Sequence, residues 1–235
     1  MIDHRKHFWL GVRDFLPLVS GVLPFGLIAG ATGVSLGMSP EMVLGMTVLF
    51  FAGSAQLAAY SLIQDNAPFV IILATAVIVN LRFAIYSATF APLLGPLKKR
   101  YRFPMAYMLS DQVYGLCSMP QQLQKSKQEQ VWYIAGVSIA MALSWLISVI
   151  LGVALGAGIP PGWSLEFTIP LAFLAMLVST ISNRLLLMVA IISSGTIVLL
   201  QWLPYNFGFI IAVTAGVTGG ALLPNLLKMR GASHD

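Results

Sequence analysis

The stretch APFVIILATAVIVNLRFAIYSATFAPLL, residues 67–94, decides the fold: it is long enough to cross a bilayer, and its single charge, Arg82, lies within an apolar run. A guanidinium keeps its proton at any ordinary pH, so at membrane depth it needs partner groups, water or an anion. The same poverty of charge extends on either side. Between Phe15 and Leu97 the only formal charges are Glu41, Asp65 and Arg82.

Of the 235 residues, 58% are hydrophobic and 9% charged, against roughly 25% charged in a soluble domain. This is the composition of an integral membrane protein. At about 20 apolar residues per crossing, the length accommodates some seven to eight hydrophobic segments and no separate soluble domain. The expected fold is therefore all-α, a polytopic helix bundle treated as one domain over residues 1–235. The net charge of +5 comes from short basic clusters beside apolar segments, where the positive-inside rule expects them, so no nucleic-acid partner is implied. The lone Cys117 leaves no internal disulfide and no multi-cysteine metal site. Ala29-Gly30-Ala31 matches a signal-cleavage pattern, but no polar start follows it, so the first span is read as uncleaved.

Apolar runs, charges and turn formers place segments near 15–37, 41–63, 67–95, 104–123, 131–158, 165–183, 185–201 and 204–225. Residues 1–14 and 226–235 are expected to be cytoplasmic. Three full crossings from Arg5, Lys6 and Arg13 would carry Lys98, Lys99, Arg100 and Arg102 outside, against the charge rule. If those cations and Lys125/Lys127 are all inside, parity requires one broken or re-entrant segment in the first half. It requires another at 104–123, which has proline near both ends and Asp111-Gln112 in its middle. Such backbone is tolerated at membrane depth where it is buried in protein or lines a polar cavity. The alternative is ordinary crossings throughout, with one basic loop outside.

Three polar constellations interrupt the apolar sequence. In FAGSAQ (51–56), followed by Tyr60, Gly53 permits a helix break, while Ser54 and Gln56 offer neutral donors and acceptors suited to the ends of a zwitterion. They serve equally to fix helix packing. In NLRFAIYSATFAP (80–92), Arg82 and Tyr86 are helix neighbours at four-residue spacing, with Asn80 on an adjacent face. In LSDQVY (109–114), Asp111 is the only acid between Asp65 and Glu129. It is thus the natural counter-charge for Arg82, or a carrier of coupling protons. Glu166 is read as a helix-start anion and Asn183-Arg184 as an orientation marker. Small residues at four-residue spacing, Gly26/Gly30, Gly33/Gly37, Gly152/Gly156 and Gly208-Ala212-Gly216-Gly220, point to close helix contacts, the last series facing either this chain or a partner subunit.

No enzyme chemistry is expected. His4, His7 and His234 all lie near the termini, so Ser54 has no base within a span, and Asp111 has no second carboxylate with which to form a proteolytic dyad. There is no GxxxxGK[ST] phosphate loop, and no cofactor or metal is implied.

FAGSAQ at 51–56, NLRFAIYSATFAPLL at 80–94, LSDQVYGL at 109–116 and LEFTIPLAFLAML at 165–177 occur in an order that resembles the AzlC-like family, the large subunit of bacterial branched-chain amino acid exporters. The resemblance implies a multi-pass permease of the bacterial cytoplasmic membrane. It would export valine, leucine, isoleucine and methionine together with a small hydrophobic AzlD-like subunit. The positions that carry over are Gly53, Ser54, Gln56, Asn80, Arg82 and Asp111, to which the residue pattern adds Tyr60 and Tyr86 as substrate-binding candidates. Two departures stand out: Gln112 where the family often has an acid, and Glu166 where an aspartate is common. Two other readings remain open at this level: a channel or transporter for another small anionic solute, with Arg82 selecting anions, and a membrane scaffold subunit in which the polar stripe is structural.

Overall fold

A computed structural model describes residues 4–156, 174, 181, 183–203 and 207–231, with 223–231 described by backbone alone. In chain order the helices are α1 (His4–Phe15), α2 (Val19–Ser35), α3 (Pro40–Phe50), α4 (Gly53–Gln64), α5 (Phe69–Asn80), α6 (Arg82–Leu94), α7 (Lys99–Tyr107), α8 (Asp111–Cys117), α9 (Pro120–Leu123), α10 (Lys127–Gly156), α11 (Arg184–Leu199) and α12 (Phe207–Gly231). No strand occurs among the described residues. The protein is all-α, as its composition leads one to expect. The segment expected at 165–183, with Glu166, lies almost wholly outside the described residues.

Three helical stretches are long and apolar enough to cross a membrane, His4–Ser35, Phe69–Leu94 and Lys127–Gly156, and Pro40–Phe50, Arg184–Leu199 and Phe207–Leu222 are shorter apolar helices. Along the Phe69–Leu94 stretch, Phe69, Leu73, Val77, Leu81 and Ile85 are all exposed. Phe69, Leu73 and Val77 share one side of α5 at four-residue spacing, and an apolar stripe turned outward is what a lipid-facing helix presents.

The chain divides into two compact units, Met1–Asn66 with Ile72–Ala172, and Ala67–Ile71 with Phe173–Asp235. The first is organised by α1 and α2 lying along α10. A 3-10 turn at Leu16–Leu18, which includes Pro17, joins α1 to α2, and the residues at both joins keep right-handed helical dihedrals. The described part of the first long helix thus already includes His4, well before the apolar run that opens near residue 15. Contacts to α10 explain the extension: Tyr133 donates to Asp14 at 3.0 Å, and His7 Nε2 lies 3.1 Å from Glu129 Oε1. The start of α10 is written locally, because Ser126 and Glu129 cap it reciprocally: Ser126 N and Oγ donate to the Glu129 carboxylate, and Glu129 N donates back to Ser126 Oγ.

Glycines set how closely these helices approach. A side chain on Gly11 would run into the Tyr133 carbonyl, and one on Gly136 into the Phe8 carbonyl. Gly30 faces the Val149 carbonyl and Gly152 the Leu27 carbonyl in the same reciprocal way. Backbone meets backbone, which only residues without a Cβ allow. Between these contacts Tyr133, Val137, Met141, Trp145 and Val149 of α10 are buried.

Three of the remaining apolar segments are interrupted. Ser39 and Pro40 start α3, with the Ser39 hydroxyl accepting from Met42 N, and α3 stops where Phe51 turns left-handed (φ 46°). α4 then starts two residues later, at Gly53. A turn at Leu81 separates α5 from α6, and Met108–Ser110 separates α7 from α8. The segment expected at 104–123 is therefore three short helices, and the first half holds two interruptions, one inside FAGSAQ and one at Leu81.

In the second unit, α11 starts at Asn183, whose side chain accepts from Leu186 N at 2.9 Å. Gly208 packs on Leu200, Gly216 on Ser193 and Gly220 on Val189, so α11 and α12 run antiparallel. Of the two options left open by the sequence, the stripe from Gly208 to Gly220 faces this chain's own α11.

Gly152→Ala is expected to lower stability by about 1–3 kcal/mol through forced separation of α2 from α10. Gly21→Ala, which meets nothing within 4 Å, is expected to cause no loss. Thermal unfolding midpoints of the two variants in the same detergent check the contrast.

Candidate functional site

The interruptions bring four polar residues of the first unit together. Arg82 is the first residue of α6, Asp111 the first of α8, and Ser54 the second of α4. Arg82 Nη1 donates to Asp111 Oδ2 at 2.5 Å, and Nη2 donates to the Ser54 hydroxyl. Tyr86, one turn beyond Arg82 and on the same helix face, donates to Asp111 Oδ1 at 2.5 Å. Each carboxylate oxygen of Asp111 therefore receives a proton donor from α6, across 29 and 25 residues of sequence.

Local sequence accounts for the placement. Ser110 caps α8 by accepting from Val113 N, which puts Asp111 in the first turn, where the helix dipole favours an anion. The left-handed Phe51 ends α3 so that the α4 backbone can restart at Gly53. Gly53 itself lies against the rings of Trp145 and Phe25, and a methyl group there would strike Trp145. The break in FAGSAQ thus rests on α10, and Ser54 is held at the Arg82 guanidinium.

The charge pair is not sealed: the Arg82 side chain retains 25% of its exposure and that of Asp111 36%. Two buried polar atoms have no hydrogen-bond partner among the described residues: Nε of Arg82 itself, and Oδ1 of Asn80, two residues earlier at the end of α5. One is a donor and the other an acceptor. Around them stands an aromatic wall: Tyr86 stacks on Tyr114 at 4.6 Å, Phe83 and Phe90 meet these rings edge-on, and the guanidinium lies 5.4 Å from the Phe83 centroid. Tyr114 was not among the site residues read from the sequence. Its position three residues after Asp111, one turn along α8, was the signal available.

Gln56 and Tyr60 form a different cluster. Gln56 Nε2 donates to Tyr60 OH at 2.7 Å, to Thr47 Oγ1 at 3.0 Å and to the Val43 carbonyl at 3.3 Å. Gln56 and Tyr60 are buried. This network ties α4 back onto α3 and braces the break from behind. Tyr107 does the same from α7, donating to the Val48 carbonyl and placing its ring 5.2 Å from Phe51.

The family model described as "AzlC protein" matches residues 17–159. The chain belongs to the AzlC family. All of the residues gathered above lie within the matched region, whereas the motif at 165–177 falls beyond it. A similar protein, described as "Uncharacterized membrane protein" from Archaeoglobus fulgidus, is 25% identical over 225 residues, covering 94% of each chain. No solved structure matches the sequence. Family and fold together identify an AzlC-type integral membrane protein, consistent with a role in transport.

Removing one partner of the pair should have unequal effects. Asp111→Asn leaves a guanidinium that cannot shed its charge and is expected to cost about 1–3 kcal/mol. Arg82→Gln keeps an amide that can still donate to the Asp111 carboxylate, which also keeps its bond from Tyr86, and should cost less. The double variant, with no charge in the cluster, should be more stable than Asp111→Asn alone. Thermal unfolding of the three variants, read as a double-mutant cycle, tests the order.

Proposed function

We propose that this AzlC-family chain is a secondary exporter of branched-chain amino acids, such as valine, and of methionine. It would act in the bacterial cytoplasmic membrane with a small AzlD-like hydrophobic subunit. The observation that carries the reading is the half-open Arg82–Asp111 pair at the starts of interrupted helices in an otherwise almost uncharged region. Transporters bind cargo where helices break at membrane depth, because freed backbone groups and helix ends supply the polar contacts that lipid cannot.

A zwitterion suits such a pair. Its carboxylate replaces Asp111 on the Arg82 guanidinium while its ammonium group replaces Arg82 on the Asp111 carboxylate. Both protein charges stay paired, so the bound state avoids an uncompensated charge at low dielectric. The unpartnered Arg82 Nε and Asn80 Oδ1 offer one further donor and one further acceptor. A branched apolar side chain fits against Tyr86, Tyr114 and Phe90. In this reading Arg82, Asp111, Ser54 and Asn80 contact cargo, Tyr86 holds Asp111, and Gly53, Gln56 and Tyr60 hold the break in FAGSAQ open.

The same pairing argues against a simple anion as cargo. An anion that displaced Asp111 from Arg82 would leave the carboxylate without its cation. A structural role is the second reading, since the pair satisfies itself with no ligand bound.

Efflux from valine-loaded cells expressing the chain, with and without an AzlD-like subunit, separates these readings. Arg82→Gln and the double Arg82→Gln/Asp111→Asn variant are expected to reduce valine efflux at least tenfold at equal membrane abundance. Ser54→Ala should cause a smaller loss. Efflux retained by a well-expressed double variant would assign the pair to structure, and chloride flux exceeding valine flux in inverted vesicles would favour the anion pathway.

A further inference from the structure

The sequence LKKRYRFP, residues 97–104, places Lys98, Lys99, Arg100 and Arg102 at the start of α7. Lys98, Lys99 and Arg100 are exposed. Among the described residues none of the four cations lies within ion-pair distance of a carboxylate, where the pairs are His7–Glu129 and Arg82–Asp111. The sequence gives a reason: the only acid between Asp65 and Glu129 is Asp111, and Arg82 already holds it. The first turn of α7 contains no acidic residue either, so the four cations repel one another beside a helix end that disfavours positive charge.

Aromatic residues alternate with these cations. The Arg100 guanidinium lies 4.7 Å from the Tyr101 ring centroid, and that of Arg102 lies 5.4 Å from the Phe103 centroid. Tyr101 and Phe103 remain 53% and 62% exposed. The cluster also has a defined place relative to lipid. The apolar Phe69–Leu94 stretch ends four residues before Lys98, and Arg102 Nη1 donates back to the Gly95 carbonyl at 3.1 Å, holding the start of α7 close to that end. Cations and exposed aromatic rings at the end of a membrane span lie at headgroup depth.

We propose that the exposed start of α7, with Lys98, Lys99, Arg100, Tyr101 and Phe103, binds the phosphate headgroup of an anionic phospholipid. The phosphate supplies a counter-charge that no described carboxylate provides there, and the two rings insert at the level of the glycerol and upper acyl chain. A soluble polyanion would meet the charge but not the rings. A bilayer meets both.

The test uses the intact protein and phosphatidylglycerol. Photoreactive phosphatidylglycerol added to wild-type protein in detergent is expected to label residues 98–103. Excess unlabelled phosphatidylglycerol should compete, whereas phosphatidylcholine and inorganic phosphate should not. In native mass spectrometry the Lys98→Gln/Lys99→Gln/Arg100→Gln variant is expected to hold phosphatidylglycerol roughly a hundredfold more weakly. Lys127→Gln, and a Lys98→Arg/Lys99→Arg/Arg100→Lys variant that keeps the charge, should behave as wild type. Labelling confined to other regions, equal competition by phosphatidylcholine, displacement by free phosphate, or unaltered lipid retention in the triple Gln variant would each overturn the proposal. If the triple Gln variant does not fold, the wild-type labelling pattern and its competition decide the matter.

Discussion

A cation that cannot be neutralised sits where the surrounding sequence offers almost no charge, and the pairing of Arg82 with Asp111 answers it. In a medium of low dielectric an unpaired guanidinium is so costly that the chain must bring an acid to it. The acid lies 29 residues away. α7 stops at Tyr107 and α8 starts at Asp111 behind its Ser110 cap, and this break is what lets the acid reach the guanidinium. Ser54 reaches the other side of the guanidinium because α4 begins where it does. Three helix starts thus converge on one guanidinium.

The breaks are held by groups that never touch the pair. Gln56, Thr47 and Tyr60 lock α4 to α3 behind the left-handed Phe51, and Tyr107 joins α7 to the end of α3. Gly53 rests on Trp145 of α10, and α10 is fixed in turn by backbone contacts with α1 and α2 at Gly11, Gly30, Gly136 and Gly152. Small residues therefore act at two scales: they let long helices touch, and they let a broken helix restart against that scaffold. A polar cluster at membrane depth is only as well placed as the apolar packing beneath it.

The proposals for cargo and for lipid draw on one scarcity. Carboxylates are so few between Asp65 and Glu129 that Arg82 takes the only one, and among the described residues the basic start of α7 has no carboxylate within ion-pair distance. The pair at the break is balanced and half exposed, the arrangement a zwitterion can enter without leaving charge unmatched. The α7 cluster is unbalanced and beside a span end, which suits a headgroup. α7 itself links the two regions, since its basic end lies near Leu94 and its other end leads to Asp111.

By itself the sequence determined the helical, membrane-embedded class, because continuous apolar runs of this length satisfy their backbone hydrogen bonds in lipid as helices, whereas barrel strands would alternate apolar with polar residues. It also marked Arg82 as the anomalous charge, put Tyr86 on its face through the helical repeat, and by elimination nominated Asp111 as its counter-charge. The prolines near both ends of 104–123 and Gly53 in FAGSAQ also marked places where a helix could break, and breaks occur there. What only the tertiary structure decided is which polar side chains meet. Gln56 and Tyr60, adjacent in sequence to Ser54, turn to α3, while Ser54 turns to Arg82. It also carried the first helix back to include His4, and it set the Gly208 stripe against α11. The physical reason is that helical periodicity fixes neighbours within a turn or two, whereas partners across a break depend on the angle at which the chain restarts, and that angle is set by contacts such as Gly53 on Trp145 that no local pattern encodes.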